Sequence, residues 1–185
     1  NSIIRGFNEL VQSIKGIEQQ FPEQEHFISF ISFNNLGNKV LHFMDPVSQL
    51  NEINSKTYTP NACTPLYDAI GFSINKLKHT LKEQTDYNVL VTIMTDGEEN
   101  ASREYSGISV KALIDELKKN NWTFTYIGTD HDIEKAASSL SIDHTMAFEK
   151  NEQHIKAMFL KDRVARSKFS QSLKDNNHFS DKYFD

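Results

Sequence analysis

An aspartate at the end of an apolar segment, Asp96, is the residue of this sequence best placed to do chemistry. The segment Val89–Met94 before it is apolar except for one threonine, which is typical of a strand buried on both faces in the middle of a sheet. The strand is predicted to end at Thr95-Asp96-Gly97, because glycine readily takes the positive φ that a sharp turn requires. In open α/β sheets, ligands bind at the carboxyl ends of the strands. Asp96 is therefore the first candidate for chemistry, and a turn with a helix cap is the structural alternative.

Thr64 lies in a loop that precedes a predicted helix. Two prolines restrict the segment 59–65 and remove backbone donors, which predicts a loop there. Proline suits the first helical position, and Thr64 before it could cap the helix. The neighbouring Cys63 is either a reactive thiol or a small, half-buried side chain. Asp68, one helical turn after Thr64, either reaches the same loop or offsets nearby positive charge.

The remaining polar candidates have simpler structural interpretations. The segment Glu98-Glu99-Asn100 follows the turn and is predicted to be solvated surface. Asp130 and Asp132 follow the next predicted strand, where capping of a helix by a carboxylate is expected. The seven histidines are dispersed along the sequence, an arrangement that does not indicate a zinc cluster. A Gly-rich phosphate loop, a Gly-x-Ser-x-Gly elbow and a His-Glu-x-x-His pair are all missing from the sequence, which gives an enzymatic function little support.

Alternating strands and helices must position these residues. Apolar side chains recur at helical spacing over Ile3–Ile17, Leu66–Leu81 and Ile108–Leu117. Strands are predicted at 27–33, 39–44, 122–127 and 145–148, in addition to Val89–Met94, and short helices at 47–53 and 132–140. The first of these strands is expected to be buried, and the second to return from a hairpin turn and form the sheet edge. This alternation predicts an α/β fold with a doubly wound, mainly parallel sheet and helices on both faces.

The composition changes near residue 150, which predicts a domain over residues 1–149 followed by a helix and tail over 150–185. Four basic residues crowd one segment of that helix: Lys161, Arg163, Arg166 and Lys168. They are interpreted as a solvated helix face, with contact to a partner or an anionic surface as the alternative. The tail contains Phe179, Tyr183 and Phe184 among polar residues, so it either docks on the body of the protein or frays.

Composition and charge exclude several classes of function. The chain has 185 residues, a net charge of −5 and charges of both signs scattered along it, so no basic footprint for nucleic acid is present. Its single cysteine cannot form an internal disulfide. No run of about 18 apolar residues is available to span a membrane. These features predict a protein of a reducing, cytoplasmic compartment, although a removed signal peptide would leave the same mature sequence.

Three segments together resemble a known family. They are Cys-Thr-Pro-Leu-Tyr-Asp-Ala-Ile at 63–70, Thr-Ile-Met-Thr-Asp-Gly-Glu-Glu-Asn at 92–100 and Tyr-Ile-Gly-Thr-Asp at 126–130. In this order they make the chain similar to a von Willebrand factor type A (VWA) domain, most of all to the compact bacterial versions. The resemblance covers roughly residues 1–149. It implies the Rossmann-like fold of that family.

The resemblance also implies a divalent cation above the sheet, at a metal-ion-dependent adhesion site (MIDAS). The family builds this site from an Asp-x-Ser-x-Ser loop, a threonine and an aspartate, and the last two match Thr64 and Asp96. The implied ion is Mg²⁺, with Mn²⁺ or Ca²⁺ as alternatives. No Asp-x-Ser-x-Ser segment occurs in the sequence, so the implied site is incomplete in this chain.

The family's first strand is central in its sheet and, together with the metal loop, precedes the first helix; this sequence begins at that helix. Without this first strand, the strands at 27–33 and Val89–Met94 would each have one unpaired edge. Unpaired strand edges favour self-association. Three explanations are open: a further segment of the protein carries the strand, another protomer supplies one, or the two flanking strands close up on each other.

The resemblance leads us to expect a non-enzymatic module that binds a protein partner through the cation, which accepts an acidic side chain of that partner. Two alternatives are kept. One is a metal-dependent hydrolase or phosphatase on a similar sheet, since an aspartate at a strand end can serve as a nucleophile or magnesium ligand. The other is an assembly module that never binds metal.

Overall fold

The computed structural model describes residues 2–34, 36–56, 63–129, 132–176 and 183–185, with the backbone alone at residues 2 and 3. The helices within these ranges are α1 (Ser2–Gln20), α2 (Leu66–Leu81), α3 (Gly107–Leu117), α4 (Ile133–Ser139) and α5 (Glu152–Lys174). The strands are β1 (Phe27–Asn34), β2 (Gly37–Pro46), β3 (Val89–Thr95), β4 (Trp122–Gly128) and β5 (His144–Ala147). The predictions for residues 59–62, Asp130 and Phe179 fall outside the described residues.

A mixed α/β fold is confirmed, with a three-stranded parallel sheet flanked by helices. The strand order is β3-β4-β5. β4 lies parallel to β3, with Val89 opposite Trp122 and Thr95 opposite Gly128, and β5 continues the sheet in the same direction. The carboxyl ends of all three strands therefore meet at one edge of the sheet, where the loop that carries Asp96 begins.

The prediction that Val89–Met94 lies mid-sheet is wrong for the described strands. β4 is the middle strand, and β3 is an outer strand of the three. Val89, Ile93 and Thr95 are buried, whereas the other residues of β3 are half-buried, so the strand is not covered on both faces. An apolar run indicates how much of a strand is covered, but it does not specify the order of strands in the sheet.

β1 and β2 form a separate two-stranded sheet. The Met44 amide donates to Ser29 Oγ at 3.1 Å and the Val47 amide to the His26 carbonyl at 2.9 Å, which shows that the strands run antiparallel. The expectation that β1 is buried is wrong, since none of its residues is fully buried and Phe27 is 47% exposed. In the described part of the chain β1 does not pair with β3. The third explanation for the missing central strand, that the two strands beside it close up on each other, is therefore not what the structure shows.

One compact unit comprises residues 1–30, 40–60 and 148–185. The predicted helical stripe of α1 is confirmed, and α1 lies along α5. α1 also packs against a 3₁₀ turn at Val47–Gln49, which replaces the short helix predicted at 47–53. The shared apolar cluster consists of Phe7, Val11, Ile14, Val47, Leu50 and Ile53. The side chain of Asn8 holds the segment after the turn, because it donates to the Ile53 carbonyl at 3.0 Å and accepts from the Ile53 amide at 2.9 Å.

The other compact unit comprises residues 31–39 and 61–147 and contains the three-stranded sheet. α4 packs against β4 and β5, and α2 against α3. Ile108, predicted to lie on the buried stripe of α3, is 84% exposed, and Val110 is buried in its place. The reason is the helical spacing: Val110, Ile114 and Leu117 form the buried face of α3, and Ile108 lies about half a turn from Val110, on the opposite side. α3 begins at Gly107, where Ser106 and Ser109 form a capping box. The predicted cap at Asp132 is confirmed, since its carboxylate accepts from the Lys135 amide at 3.1 Å.

The structure shows where the C-terminal tail lies and how exposed the basic residues of α5 are. Tyr183 and Phe184 are buried, so the last residues of the tail dock rather than fray. Lys161, Arg163 and Lys168 are exposed, as predicted for a solvated face. Arg166 is not, because its side chain is 16% exposed and pairs at 2.7 Å with Asp162, which is 2% exposed. Among the described helices, none has the length and apolar character needed to cross a bilayer.

Candidate functional site

The turn after β3 presents Asp96 at the carboxyl edge of the sheet. The buried Thr95 forms this turn, since its Oγ1 donates to the Gly97 carbonyl at 2.8 Å and accepts from the Gly97 amide at 3.3 Å. Asp96, between the two residues, is exposed. The predicted strand end and turn are confirmed, but Gly97 does not take the positive φ expected of it; the turn depends on the Thr95 side chain instead. The carboxylate of Asp96 stands where a ligand would reach it.

Thr64 lies beside this turn. A side chain placed on Gly97 would bring its Cβ to 3.3 Å from Thr64 Oγ1, so the hydroxyl is adjacent to the residue that follows Asp96. The two loops are also joined through Asn100, whose Oδ1 accepts from the Thr64 amide at 3.0 Å and whose amide donates to the Thr64 carbonyl at 3.2 Å. The structure therefore places the Thr64 hydroxyl beside the turn that carries Asp96.

The prediction that Thr64 caps the following helix is wrong. Pro65 occupies the N-cap position of α2 and makes no side-chain capping bond. The first amides of α2 are instead satisfied from a distant loop: Tyr67 donates to Glu99 Oε2 at 2.8 Å and Asp68 to Ser102 Oγ at 3.0 Å. A helix end needs partners for its first N–H groups, and here they are supplied from another part of the chain.

Glu99 is the most heavily bonded side chain of the site. Its carboxylate accepts from the Tyr67 amide, from the amides of Ala101 and Ser102 at 2.8 and 2.7 Å and from Ser102 Oγ at 2.7 Å. Partial burial alone would raise the pKa of Glu99, but the hydrogen bonds from Ser102, Tyr67 and Ala101 outweigh it and lower the pKa. The interpretation of this residue as solvated surface is wrong, whereas Glu98 is exposed as predicted.

Asp68 holds the end of the same loop. Its carboxylate accepts from the amides of Arg103, Glu104 and Tyr105 at 2.8, 2.9 and 2.8 Å. Partial desolvation opposes ionisation, yet these three backbone donors lower the pKa of Asp68 below its ordinary value. The hydrogen bonds of Asp68 go to residues 103–105 and not to the loop of Thr64, and the nearby charge of Arg103 also lowers its pKa, which agrees with the second of the two roles considered.

The ring of Tyr105 completes this attachment. It lies directly against Gly71 of α2, where any side chain would collide with it, and its hydroxyl accepts from Asn75 Nδ2 at 3.0 Å. Sequence reasoning missed Glu99, Ser102 and Tyr105. One signal was available, because an isolated glycine inside a helical pattern usually has a packing reason.

The donor set fits a hard cation in part. A hydroxyl and a carboxylate are oxygen ligands of the kind that Mg²⁺ binds, and Mg²⁺ usually retains several waters. Among the described residues no group of three or more His, Cys, Asp or Glu side chains is arranged to hold a metal. Thr64 and Asp96 alone would therefore bind an ion weakly. The neighbouring Cys63 is half-buried, in agreement with a small packing side chain.

Two comparisons with known proteins identify no relative of this chain. A scan against protein-family models matches none of them, and a search of curated proteins finds no significant match. The resemblance to VWA domains therefore depends on the three sequence segments alone.

Proposed function

We propose that this chain is a VWA-like interaction module that binds a protein partner through a divalent cation, held by Thr64 and Asp96. The proposal includes a Rossmann-like, doubly wound sheet with helices on both faces. The preferred ion is Mg²⁺. When bound, the cation would supply a positive centre that accepts a carboxylate of the partner.

The observation that carries the proposal is the position of Thr64 Oγ1 beside the turn Asp96-Gly97, at the carboxyl edge of a parallel sheet. Two oxygen ligands from two loops leave most of the six positions around a magnesium ion to water. Water can be exchanged for an oxygen ligand of another molecule. Since Asp96 is exposed, a molecule as large as a protein could approach it.

The negative net charge of the chain supports a cation that bridges it to a carboxylate of the partner. A protein with a net charge of −5 repels an acidic side chain at long range. One carboxylate and one neutral hydroxyl neutralise only part of the charge of a divalent ion. The remaining positive charge would favour a carboxylate ligand from the partner, so the partner contact is expected to require the cation.

Calorimetric titration with MgCl₂ and MnCl₂ tests the proposal. We expect weak, saturable binding by the wild type and no detectable binding by Asp96→Ala. Thr64→Ala should weaken binding, and Thr64→Ser, which keeps the hydroxyl, should restore it. Asp86→Ala is the matched control, because Asp86 is exposed and precedes β3 at its opposite end. Equal titration curves for the wild type and Asp96→Ala would refute the metal site.

The same variants separate the proposal from its alternatives. Hydrolysis of a generic phosphate ester that is lost in Asp96→Ala, but not in Asp86→Ala, would favour the enzyme. Self-association that is unchanged by chelation of divalent ions, together with no metal binding, would favour the assembly module. Either result replaces the interaction function proposed above.

A further inference from the structure

We infer that Asp68 and Glu99, here named the carboxylate pair, are positioning residues that hold Thr64 and Asp96 in register for the cation. The inference rests on the proposed function. Neither carboxylate is assigned as a metal ligand, since the oxygens of each are occupied by hydrogen-bond donors of the protein. Their role is to fix the loop after Asp96 to the first turn of α2.

Glu99 makes the connection nearest to the site. It lies three residues after Asp96 and binds the amide of Tyr67, which lies three residues after Thr64, at 2.8 Å. One carboxylate thus spans both loops. Its other donors, from Ala101 and Ser102, fold the chain after Glu99 into a tight turn around it. Hydrogen bonds to an ionised acceptor are stronger than neutral ones, so this connection depends on the charge of Glu99.

Asn100 links Glu99 to Thr64. It follows Glu99 directly and exchanges two hydrogen bonds with the backbone of Thr64, through its Oδ1 and its amide. These bonds define the backbone position from which the Thr64 hydroxyl extends toward Gly97. Displacement of Glu99 would therefore move Asn100, and with it Thr64, away from the turn that carries Asp96.

Asp68 and Tyr105 hold the far end of the loop. Three consecutive amides converge on Asp68, and the Tyr105 ring rests on Gly71, one turn further along α2. The segment 99–105 contains no helix or strand of its own. It is ordered by the carboxylate pair and by Tyr105, so the geometry of the site depends on side chains that do not touch the ion.

Two measurements on three variants of the full chain test this inference. The variants are Glu99→Gln, Asn100→Ala and the control Glu104→Gln, whose exposed side chain lies in the same loop. Calorimetry gives the affinity for Mg²⁺, and amide hydrogen exchange in metal-free protein gives the protection of Thr64. In Glu99→Gln the Thr64 amide is informative because its acceptor is Asn100, not Glu99.

For Glu99→Gln and Asn100→Ala we expect affinities about 10-fold to 100-fold below that of the wild type, as is usual when the support of a metal ligand is removed. The Thr64 amide should exchange faster in Glu99→Gln, and Glu104→Gln should match the wild type in both measurements. A purely structural Glu99 would lower the urea midpoint but leave the affinity and the Thr64 exchange unchanged, and that result would overturn the inference.

If Glu99→Gln does not fold, the test depends on Asn100→Ala. The side chain of Asn100 is exposed, so this variant is expected to fold. Wild-type affinity for Mg²⁺ in Asn100→Ala would contradict the inference. If the wild type binds no Mg²⁺, the proposed function fails, and with it the role toward the cation. Thr64 exchange in the metal-free variants still reports whether the carboxylate pair positions the loop, so the two failures are distinguishable.

Discussion

Four donors surround the carboxylate of Glu99, and three consecutive amides surround that of Asp68. Each carboxylate accepts hydrogen bonds from fixed donors of the protein, which favour the ionised form. Such bonds order a loop that contains no strand or helix of its own and attach it to α2. The stability of the loop should therefore depend on pH.

The first prediction concerns this pH dependence. Because the pKa of Glu99 is lower in the folded protein than its ordinary value of 4.5, its contribution to stability is complete above the unfolded pKa. The contribution is lost as the pH falls through the folded pKa. Below about pH 4.5 the urea midpoint of the wild type should fall more steeply than that of Glu99→Gln.

Asp68 retains its own pH dependence, so the slope for Glu99→Gln should be reduced rather than abolished. Glu104→Gln, the control in the same loop, should keep the slope of the wild type. Parallel curves for the wild type and Glu99→Gln would show that the charge of Glu99 does not stabilise the fold.

Some individual residues of the site could be predicted from the sequence, and others could not. Asp96 could be found because a strand end and a glycine mark its position locally, whereas Thr64 was indicated only by the resemblance to VWA domains. Glu99 could not, since its partner Tyr67 lies 32 residues away in sequence. Nothing in Glu98-Glu99-Asn100 shows which of two adjacent glutamates turns inward to meet a helix end.

Among the elements, α1 shows how two glycines in one helix can have opposite effects on stability. Gly6 is buried beneath the ring of Phe159 of α5, whereas nothing lies within 4 Å of a Cβ placed at Gly16. A methyl group at the first position must displace a packed ring. At the second it would extend into open space and would mainly lower the conformational entropy of the unfolded chain.

The second prediction follows from this pair. Gly16→Ala should stabilise the fold by up to about 1 kcal/mol, the usual difference in helix propensity. Gly6→Ala should instead destabilise it, because overpacking costs about 1–3 kcal/mol and exceeds the gain in propensity. Urea unfolding of the two variants measures both effects. A stabilised Gly6→Ala variant would contradict the packing of α1 against α5.

Helices and strands are the part of the fold that the sequence predicts best. The 3.6-residue spacing over Ile3–Ile17 and the apolar run Val89–Met94 correspond to α1 and β3 because both patterns are local. The position of β3 in the sheet was not predictable in this way, since strand order depends on which neighbours are present.

For the whole molecule, two small sheets raise the question of self-association. Among the described strands, β1 and β2 pair only with each other, and the three-stranded sheet has β3 and β5 as outer strands. Outer strands that are long and apolar invite pairing with another chain. β3 contains no charged residue and no proline, whereas β5 has only four residues.

The third prediction is therefore association at high concentration. Sedimentation equilibrium should give an average mass that rises above 21.3 kDa as the concentration increases. Replacement of Leu90 in β3 by lysine should reduce the effect, because a charged side chain opposes strand addition. Ile108→Lys, at an exposed apolar side chain outside the strands, is the control and should associate like the wild type. A constant mass of 21.3 kDa at all concentrations would contradict the prediction.

The most direct test of the central claim is to locate a bound ion by nuclear magnetic resonance, with Mn²⁺ as a paramagnetic probe. Substoichiometric MnCl₂ should first broaden the amide signals of Thr64, Asp96 and Gly97. Signals near Asp86 should persist, because the seven residues of β3 separate the two ends of the strand by roughly 20 Å. Broadening centred elsewhere, or equal broadening at both ends of β3, would contradict a cation held by Thr64 and Asp96.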